Sequence, residues 1–193
     1  MIRLYCATGN PGKLREFRLA ARERSDIDIE LLPDFGRLPP CIETGATFEE
    51  NALQKARHYG PYAPGLLFAD DSGLKVEALG GAPGVYSARF AGPNATDAEN
   101  NQLLLERLSA VADRTARFVC AIALVESGQI RGVFHGAVAG VITEQPIGTG
   151  GFGYDPLFCY SPFACTFGEA EPDQKFRVSH RGAALRAMLD SLR

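Results

Sequence analysis

The sequence predicts an α/β fold built on a mixed β-sheet flanked by helices. Predicted strands and helices alternate through the first half of the chain, and a β-hairpin follows. The glycine-rich segments fall at the ends of predicted strands, where the ligand sites of α/β proteins usually lie. The chain has 193 residues, a length typical of one domain, so we expect residues 1–193 to form a single domain.

The first half of the chain alternates short apolar segments with amphipathic ones. Apolar segments of about four to eight residues are typical of buried strands, and apolar residues three or four positions apart are typical of helices. Thr47 and Glu50 stand at the positions of a capping box. The predicted elements are strands over 2–7, 27–32 and 66–69 and helices over 13–24 and 48–59.

The second half adds the hairpin and two further helices. Asp97 is expected to cap a helix that runs to about residue 111. Two strands, 117–126 and 129–141, are joined by a short turn at Ser127 and Gly128, which predicts a hairpin. The last predicted elements are a strand over 157–160 and a helix over 180–192.

Composition and charge narrow the class of protein. The net charge of −3 provides no general attraction for nucleic acid or an anionic membrane, so neither partner is expected. No segment predicts a transmembrane helix or a signal peptide. The five cysteines form no CxxC pair, and Cys6 and Cys120 lie in apolar segments. This pattern favours buried thiols and a reducing, cytoplasmic location.

The first candidate site is the loop between the first predicted strand and helix. Here a strand, a glycine turn and a helix start direct backbone N–H groups and the helix dipole towards a phosphate, and the lysine adds a positive charge. The Walker pattern is absent, so an ordinary strand-to-helix turn with a solvated lysine is the alternative. The loop consists of Thr8, Gly9, Asn10, Pro11, Gly12 and Lys13.

Two acidic groups are candidates for binding a divalent cation. Asp70 and Asp71 follow the third predicted strand, where adjacent carboxylates need a cation or water, although Asp-Ser-Gly is also typical of a surface turn. Glu43, Glu49 and Glu50 form the second group. Helix capping is an alternative role for Glu50, whereas Glu43 lies in a loop and is freer to reach a metal. Mg²⁺ takes one or two carboxylates together with substrate phosphates.

Two groups in the last quarter of the chain are suited to recognise a base. Glycines beside aromatic residues in segment 150–155 allow a flat ligand to approach closely, and an acidic side chain there can accept from a base. A tight turn with core aromatics is the alternative. Near the last helix, two cations and an imidazole suit a phosphate or a base carbonyl. The residues concerned are Phe152, Gly153, Tyr154, Asp155, Lys175, His180 and Arg181.

Together these motifs resemble the inosine/xanthosine triphosphate pyrophosphatase family, whose members clear non-standard purine nucleotides. Six segments match in the family's order and span almost the whole chain. They are ATGNPGK at 7–13, ETGATFEENA at 43–52, FADDSGL at 68–74, LGGAPGVYSAR at 79–89, GTGGFGYDP at 148–156 and SHR at 179–181. Six ordered matches are far more specific than any single loop.

The resemblance implies an elongated sheet and two lobes with the active site in the cleft between them. It also implies a homodimer and a Mg²⁺-dependent reaction that yields a nucleoside monophosphate and pyrophosphate. Residues 8–13 would bind the triphosphate, and Ser72 would contact the substrate. Asp71 would accept the proton of the attacking water and bind Mg²⁺.

The resemblance also assigns the base end of the substrate. Residues 152–155 would form the base pocket, and Lys175 would contact the nucleotide. His180 and Arg181 would read the 6-oxo edge of the purine. Donors aimed at a 6-oxo group would be left unpaired by the exocyclic amine of adenine, so ATP should be rejected.

Several alternatives stay open. Only one acidic residue precedes Thr44, where many relatives carry two, so Glu43 is preferred as the second metal ligand and Glu50 and Asp70 are the alternatives. Phe176 and the arginine after it depart from the family's pattern. The competing functions are a related pyrophosphatase for other altered nucleotides and a nucleotide-binding module without enzymatic activity.

Overall fold

A computed structural model describes residues 1–22 and 24–192. These residues form a seven-stranded mixed sheet flanked by helices, which confirms the predicted α/β class. The strands are β1 Ile2–Cys6, β2 Ile27–Leu31, β3 Leu67–Val76, β4 Thr115–Glu126, β5 Gln129–Ile142, β6 Phe158–Tyr160 and β7 Cys165–Thr166. The helices are α1 Pro11–Arg22, α2 Phe48–Tyr59, α3 Asp97–Arg107, α4 Pro172–Val178 and α5 His180–Asp190. Among the described residues, no helix has the length and apolar character needed to cross a bilayer.

The strand order is β2-β1-β3-β4-β5-β6-β7. β1 is parallel to β2 and β3, and the other neighbours are antiparallel. The pairing of β1 with β3 ends at Cys6 and Phe68, and in the described residues no other strand pairs with β3 on that side beyond this point. The sheet therefore opens at the carboxyl end of β1, which is a common position for the ligand site of an α/β protein.

Helices cover both faces of the sheet, because successive residues of a strand point to opposite faces. Leu4 and Phe68 pack in a first cluster with α1 and α5, whereas Tyr5 and Leu67 pack in a second cluster with α2. A third cluster surrounds Phe118 and takes in α3 and β6 at the other end of β3 and β4. The middle of β3 thus lies between the first two clusters, which pack around its start, and the third cluster, which packs around its end.

β3 is longer than the sequence predicts. The predicted strand ends at residue 69, but β3 continues through Asp70, Asp71 and Ser72 to Val76. β4 is the reason, because it pairs with β3 from Leu67 to Val76 and carries the ladder past the acidic pair. The interpretation of the acidic pair as part of a surface turn is therefore wrong. Both carboxylates are buried, and they point to opposite faces of the sheet.

Other boundaries also differ from the prediction. α1 begins at Pro11 rather than at residue 13, and Glu23, inside the predicted helix, lies outside the described residues. Thr96 and not Asp97 caps α3, because its hydroxyl accepts from the N–H of Glu99, and the helix ends at Arg107. β7 and α4 have no counterpart among the predicted elements, since two and seven residues are too few for a periodic pattern.

The contact between β5 and α5 gives a test of this packing. A Cβ atom on Gly136 would overlap the backbone of α5 at His180 and Ala184. We expect Gly136→Ala to lower the free energy of unfolding by at least about 2 kcal/mol, because helix backbone cannot move aside as a flexible side chain can. Chemical denaturation measures this change. Gly65→Ala is the control, since no atom lies within 4 Å of its added Cβ, and equal stability of the two variants would contradict the packing.

Candidate active site

A cleft of about 430 Å³ opens beside the free edge of β3, between the second and third hydrophobic clusters. The structure thus has a cleft where the resemblance implies one. Pro11, Gly12, Lys175 and His180 are not part of its wall. The predicted site residues that line it are Thr8, Gly9, Asn10, Lys13, Glu43, Asp70, Asp71, Ser72, Phe152, Gly153, Tyr154, Asp155 and Arg181.

Asn10 organises the first loop. Its Oδ1 accepts from the backbone N–H of Gly12 at 2.8 Å and of Lys13 at 3.1 Å, so it caps α1. The hydroxyl of Thr8 accepts from the N–H of Asn10 at 3.1 Å. Three of the loop's backbone N–H groups, those of Asn10, Gly12 and Lys13, are therefore already bonded, so a ligand would depend mainly on the side chains of the loop. Gly12 is required because a Cβ there would overlap the ring of Phe152.

Lys13 is paired with a buried carboxylate. Its Nζ lies 2.8 Å from Oδ2 of Asp70, whose side chain is 1% exposed. The hydroxyl of Ser72 donates to the same oxygen at 3.2 Å. Burial raises the pKa of Asp70, but the charges of Lys13 and Lys55 outweigh this effect and hold the pKa below its ordinary value. Asp70 is therefore ionised and serves as the anchor for two donors.

Asp71 faces the opposite side of the sheet, towards α2. Its Oδ2 accepts from Nδ2 of Asn51 at 3.1 Å, and its Oδ1 lies 3.3 Å from Nζ of Lys55. Lys55 Nζ also lies 3.0 Å from Oε2 of Glu43. Burial raises the pKa of Asp71, and the neighbouring lysines offset only part of that rise. A buried carboxylate that has a raised pKa and lines the cleft is suited to accept a proton.

Glu43 and Asp71 have the donor chemistry that Mg²⁺ requires. Both are carboxylates, and both contact the same lysine nitrogen, which places them close enough to share one cation. Glu50 is less suitable, because its Oε2 accepts from the N–H groups of Ala46 at 2.7 Å and Thr47 at 3.3 Å in the capping box. The described residues contain no cluster of three or more His, Cys, Asp or Glu side chains for a metal. A cation here would take further ligands from phosphate or water.

Asp155 anchors the loop at the other end of the cleft. Its Oδ2 accepts from the N–H of Phe152 at 2.8 Å and from Nζ of Lys175 at 2.5 Å. Burial raises the pKa of Asp155, and Lys175 offsets part of the rise. Within the described part of the chain, its Oδ1 is buried without a hydrogen-bond partner. This oxygen is an acceptor that a ligand with an N–H group can satisfy.

The neighbouring segments hold this loop from the side. Asp97 accepts from the N–H of Gly153 at 2.7 Å, and Asn101 donates to the carbonyl of Gly153 at 3.1 Å. The hydroxyl of Tyr154 donates to the carbonyl of Ser87 at 2.8 Å. The start of α3 and the segment before it therefore fix the position of the loop relative to the rest of the cleft.

Glu16 joins the two buried cations of the last helices. Its Oε1 lies 2.6 Å from Nζ of Lys175, and its Oε2 accepts from Nε of Arg181. Burial raises the pKa of Glu16, but Arg181 and Lys175 outweigh this effect and lower it. The ring of Phe152 stacks on this group, with the Cζ atom of Arg181 4.7 Å from the ring centroid.

His180 orients Arg181 from within the core. The imidazole has no exposed surface, and burial together with the nearby cations holds its pKa well below the ordinary value. Nη1 of Arg181 lies 2.8 Å from Nε2 of His180. A guanidinium only donates, so Nε2 is the acceptor and the imidazole proton is on Nδ1.

The contacts of Arg181 show which of its N–H groups are left for a ligand. Nη1 also donates to the hydroxyl of Ser72 at 3.0 Å, so both of its hydrogens are used. Nε is used by Glu16. Among the described residues, Nη2 has no hydrogen-bond acceptor, and Arg181 lines the cleft. Nη2 is therefore the group of this side chain that can bind a ligand.

Glu16, Asn51 and Lys55 are site residues that the sequence analysis does not identify. Each is a polar residue on the buried face of a helix, where an apolar one is expected. Asn51 and Lys55 are four positions apart on α2, and Glu16 precedes the buried Phe17 of α1. Polar residues that interrupt an apolar face are the signal that locates them, because a buried polar group needs a partner.

Comparison with known proteins covers nearly the whole chain. The model of the Ham1 family matches residues 4–191. A dITP/XTP pyrophosphatase of an Exiguobacterium species is 48% identical over 187 residues, which cover 97% of this chain and 95% of that protein. A HAM1 protein from Coxiella burnetii has a similar structure, with a TM-score of 0.88 and 41% identity over 100% of this chain and 98% of that one. A nucleoside-triphosphatase / dITP/XTP pyrophosphatase from Mycobacterium abscessus has a TM-score of 0.75 and 42% identity, with 97% and 99% of the chains covered.

The buried position of Glu16 predicts how stability depends on this residue. We expect Glu16→Gln to lower the free energy of unfolding at neutral pH by about 3 kcal/mol or more, because two buried cations lose their shared anion. Glu30→Gln is the control, since its pair with Arg3 is largely exposed and should contribute at most about 1 kcal/mol. Chemical denaturation of both variants gives the comparison. Similar losses in the two would contradict a structural role for the buried carboxylate.

The same residue predicts a pH dependence. The pKa of Glu16 is lower in the folded protein, so its contribution is complete above the ordinary glutamate pKa of about 4.3 and is lost as the pH falls through the folded value. Denaturation below that ordinary value should show a smaller pH dependence in Glu16→Gln than in the native protein. An identical pH dependence would mean that Glu16 does not titrate as described.

Proposed function

The chain belongs to the Ham1 family, and from this premise we propose that it hydrolyses non-standard purine nucleoside triphosphates, such as dITP, ITP and XTP, to the monophosphate and pyrophosphate. The observation that carries this proposal is that one cleft is lined by two kinds of group. Lysines and carboxylates suited to a triphosphate line it, and so do Arg181, which has a free donor, and Asp155, which has an unpaired carboxylate oxygen. A nucleotide has a matching division between its triphosphate and its base. The reaction would remove altered nucleotides from the nucleotide pool.

The first end provides the chemistry of hydrolysis. Lys13 and Lys55 bring positive charge to this end, but both are paired with carboxylates and so offset the charge of a triphosphate only in part; compensation of that charge is the main requirement of phosphoryl transfer. Asp71 accepts a proton from water as the water oxygen bonds to the α-phosphorus. The bond from the α-phosphorus to the bridging oxygen then breaks, and pyrophosphate leaves. When bound, Mg²⁺ would be held by Asp71 and Glu43 and would neutralise the phosphate oxygens.

The second end supports a preference for 6-oxopurines. Nη2 of Arg181 is a donor suited to the 6-oxo group, and Oδ1 of Asp155 is an acceptor suited to the N–H beside it. Adenine carries an amine and an unprotonated ring nitrogen at these positions, so both protein groups would lose their partners. A site that hydrogen-bonds a substrate rejects such an analogue strongly.

In our proposal, Lys175 and His180 act on the substrate indirectly, because each positions a residue that lines the cleft. Lys175 fixes Asp155, and His180 fixes Arg181, while neither lines the cleft. The direct nucleotide contacts expected of them stay predictions. A homodimer and a cytoplasmic location also stay predictions, and light scattering of the purified protein measures the first.

The reaction products give the direct test. Incubation with Mg²⁺ and ITP, dITP or XTP should release pyrophosphate and the monophosphate, and ATP should react more slowly. Release of orthophosphate, or a preference for ATP, would contradict the proposal. Modified pyrimidine triphosphates in the same panel test the related pyrophosphatase. Calorimetric binding of ITP without turnover would indicate a nucleotide-binding module.

The role of Asp71 gives a second test. We expect Asp71→Asn to lower kcat for ITP at least about 100-fold, because the amide cannot accept the proton of the attacking water. The amide oxygen should still accept from one of the two donors, Lys55 or Asn51, so the protein should remain folded, with some loss of stability from the unpaired second donor. Asp34→Asn is the control, since the Asp34 carboxylate is exposed and lies outside the cleft. Turnover by Asp71→Asn comparable to that of the control would remove Asp71 from the role of base.

A further inference from the structure

We propose that Asp70 is a positioning residue shared by the two ends of the substrate. It holds Lys13 directly at the triphosphate end and holds Arg181, through Ser72, at the base end. This inference rests on the proposed function. It also assigns to Asp70 a role other than binding the metal.

The contacts of one carboxylate oxygen carry the proposal. Oδ2 of Asp70 lies 2.8 Å from Nζ of Lys13 and 3.2 Å from Oγ of Ser72. The hydroxyl of Ser72 donates to Asp70, which leaves its lone pairs to accept from Nη1 of Arg181 at 3.0 Å. One oxygen therefore orders a cation at each end of the cleft.

The backbone keeps this oxygen fixed. Asp70 lies in the middle of β3, where it pairs with Ile122 of β4, and its side chain is 1% exposed. Asp71 is adjacent in sequence but contacts Asn51 and Lys55 on the other face. Because of this alternation, Asp70 and Asp71 do not act as one acidic pair. Asp70 orders the ligand-binding cations, and Asp71 is left for the reacting water.

Ser72 is the link on which the base end depends. Glu16 and His180 hold Arg181 from the helical side, but Ser72 is its only hydrogen-bonded contact from the sheet among the described residues. Loss of the Ser72 hydroxyl should therefore let the guanidinium rotate relative to β3. Nη2 would then no longer be directed at the base edge.

The proposal predicts different effects for three variants. Lys13→Met should lower kcat/KM for ITP and ATP by similar factors, so that the ITP/ATP ratio changes by less than about threefold. Ser72→Ala should lower kcat/KM for ITP more than for ATP and reduce the ratio about tenfold, as expected for a lost hydrogen bond to a charged group. Asp70→Asn should lower kcat/KM for both substrates, as Lys13→Met does, and should also reduce the ITP/ATP ratio, as Ser72→Ala does. Ser72→Thr, which retains the hydroxyl, should restore much of the ratio.

Ser87→Ala is the matched control for Ser72→Ala. Ser87 also lines the cleft, but within the described ranges its hydroxyl contacts only the backbone at Leu74 and Gly84. Its loss should leave the ITP/ATP ratio unchanged. Circular dichroism of every variant shows whether a change of ratio accompanies unfolding, and Ser72→Ala carries the test if Asp70→Asn does not fold.

A second measurement separates positioning from metal binding. Calorimetry without divalent cations gives the dissociation constants of ITP and ATP, and their ratio should shift in Asp70→Asn and Ser72→Ala as the kinetic ratio does. The Mg²⁺ concentration for half-maximal rate should rise in Glu43→Gln but not in Asp70→Asn. A rise in Asp70→Asn together with an unchanged binding ratio would overturn the proposal in favour of a metal ligand.

The outcomes also distinguish this inference from the proposed function. If the native protein hydrolyses ITP selectively but Ser72→Ala and Asp70→Asn keep the native ITP/ATP ratio, the shared role of Asp70 is wrong and the function stands. If the native protein binds ITP without hydrolysing it, the proposed function is wrong. The calorimetric ratios then still decide whether Asp70 orders Arg181.

Discussion

The candidate site depends on the pairing of buried charges of opposite sign. Ionised side chains taken out of water cost several kcal/mol each unless a partner compensates them. Here cations and anions alternate, so each group is compensated by its neighbours and cannot be repositioned alone. The contacts run from Lys13 through Asp70, Ser72, Arg181, Glu16 and Lys175 to Asp155. The donors that face a ligand are therefore fixed before it binds, which is the condition for strong discrimination.

The sheet topology determines where this series of charges can meet a ligand. β1 stops pairing with β3 at Phe68, while β4 supports β3 on its other side as far as Val76. The middle of β3 is thus ordered but accessible along one edge. Because residues alternate across the strand, Asp70 and Asp71 reach opposite faces from this one edge. Within this short segment, Asp70 therefore orders the cations on one face of the sheet, and Asp71 is available to the reacting water on the other.

The sequence predicts the elements whose signal lies in neighbouring residues. It does not predict features that depend on a partner far along the chain. The capping box of Thr47 and Glu50 and the hairpin at Ser127 each depend on residues close in the chain, and both are confirmed. The length of β3 depends on β4, which lies far along the sequence. The sequence pattern does not identify Glu16 as a site residue for the same reason, because its partners lie far along the chain, on the last two helices. Motif order locates most of the cleft, whereas the buried contacts that orient its side chains are indicated only by polar residues that interrupt the apolar face of a helix.

The charge of the cleft bears on the proposed need for a divalent cation. Of the residues that the structure describes, four cationic and five anionic side chains line it: Lys13, Lys55, Arg89 and Arg181, and Glu43, Asp70, Asp71, Asp97 and Asp155. A triphosphate adds further negative charge, and three of these cations, Lys13, Lys55 and Arg181, are already paired with carboxylates. The protein alone therefore compensates the substrate poorly, whereas Mg²⁺ near Glu43 and Asp71 would supply the missing positive charge. Lys55 then has a clear purpose, because it offsets the repulsion between those two carboxylates and holds them together before the cation binds.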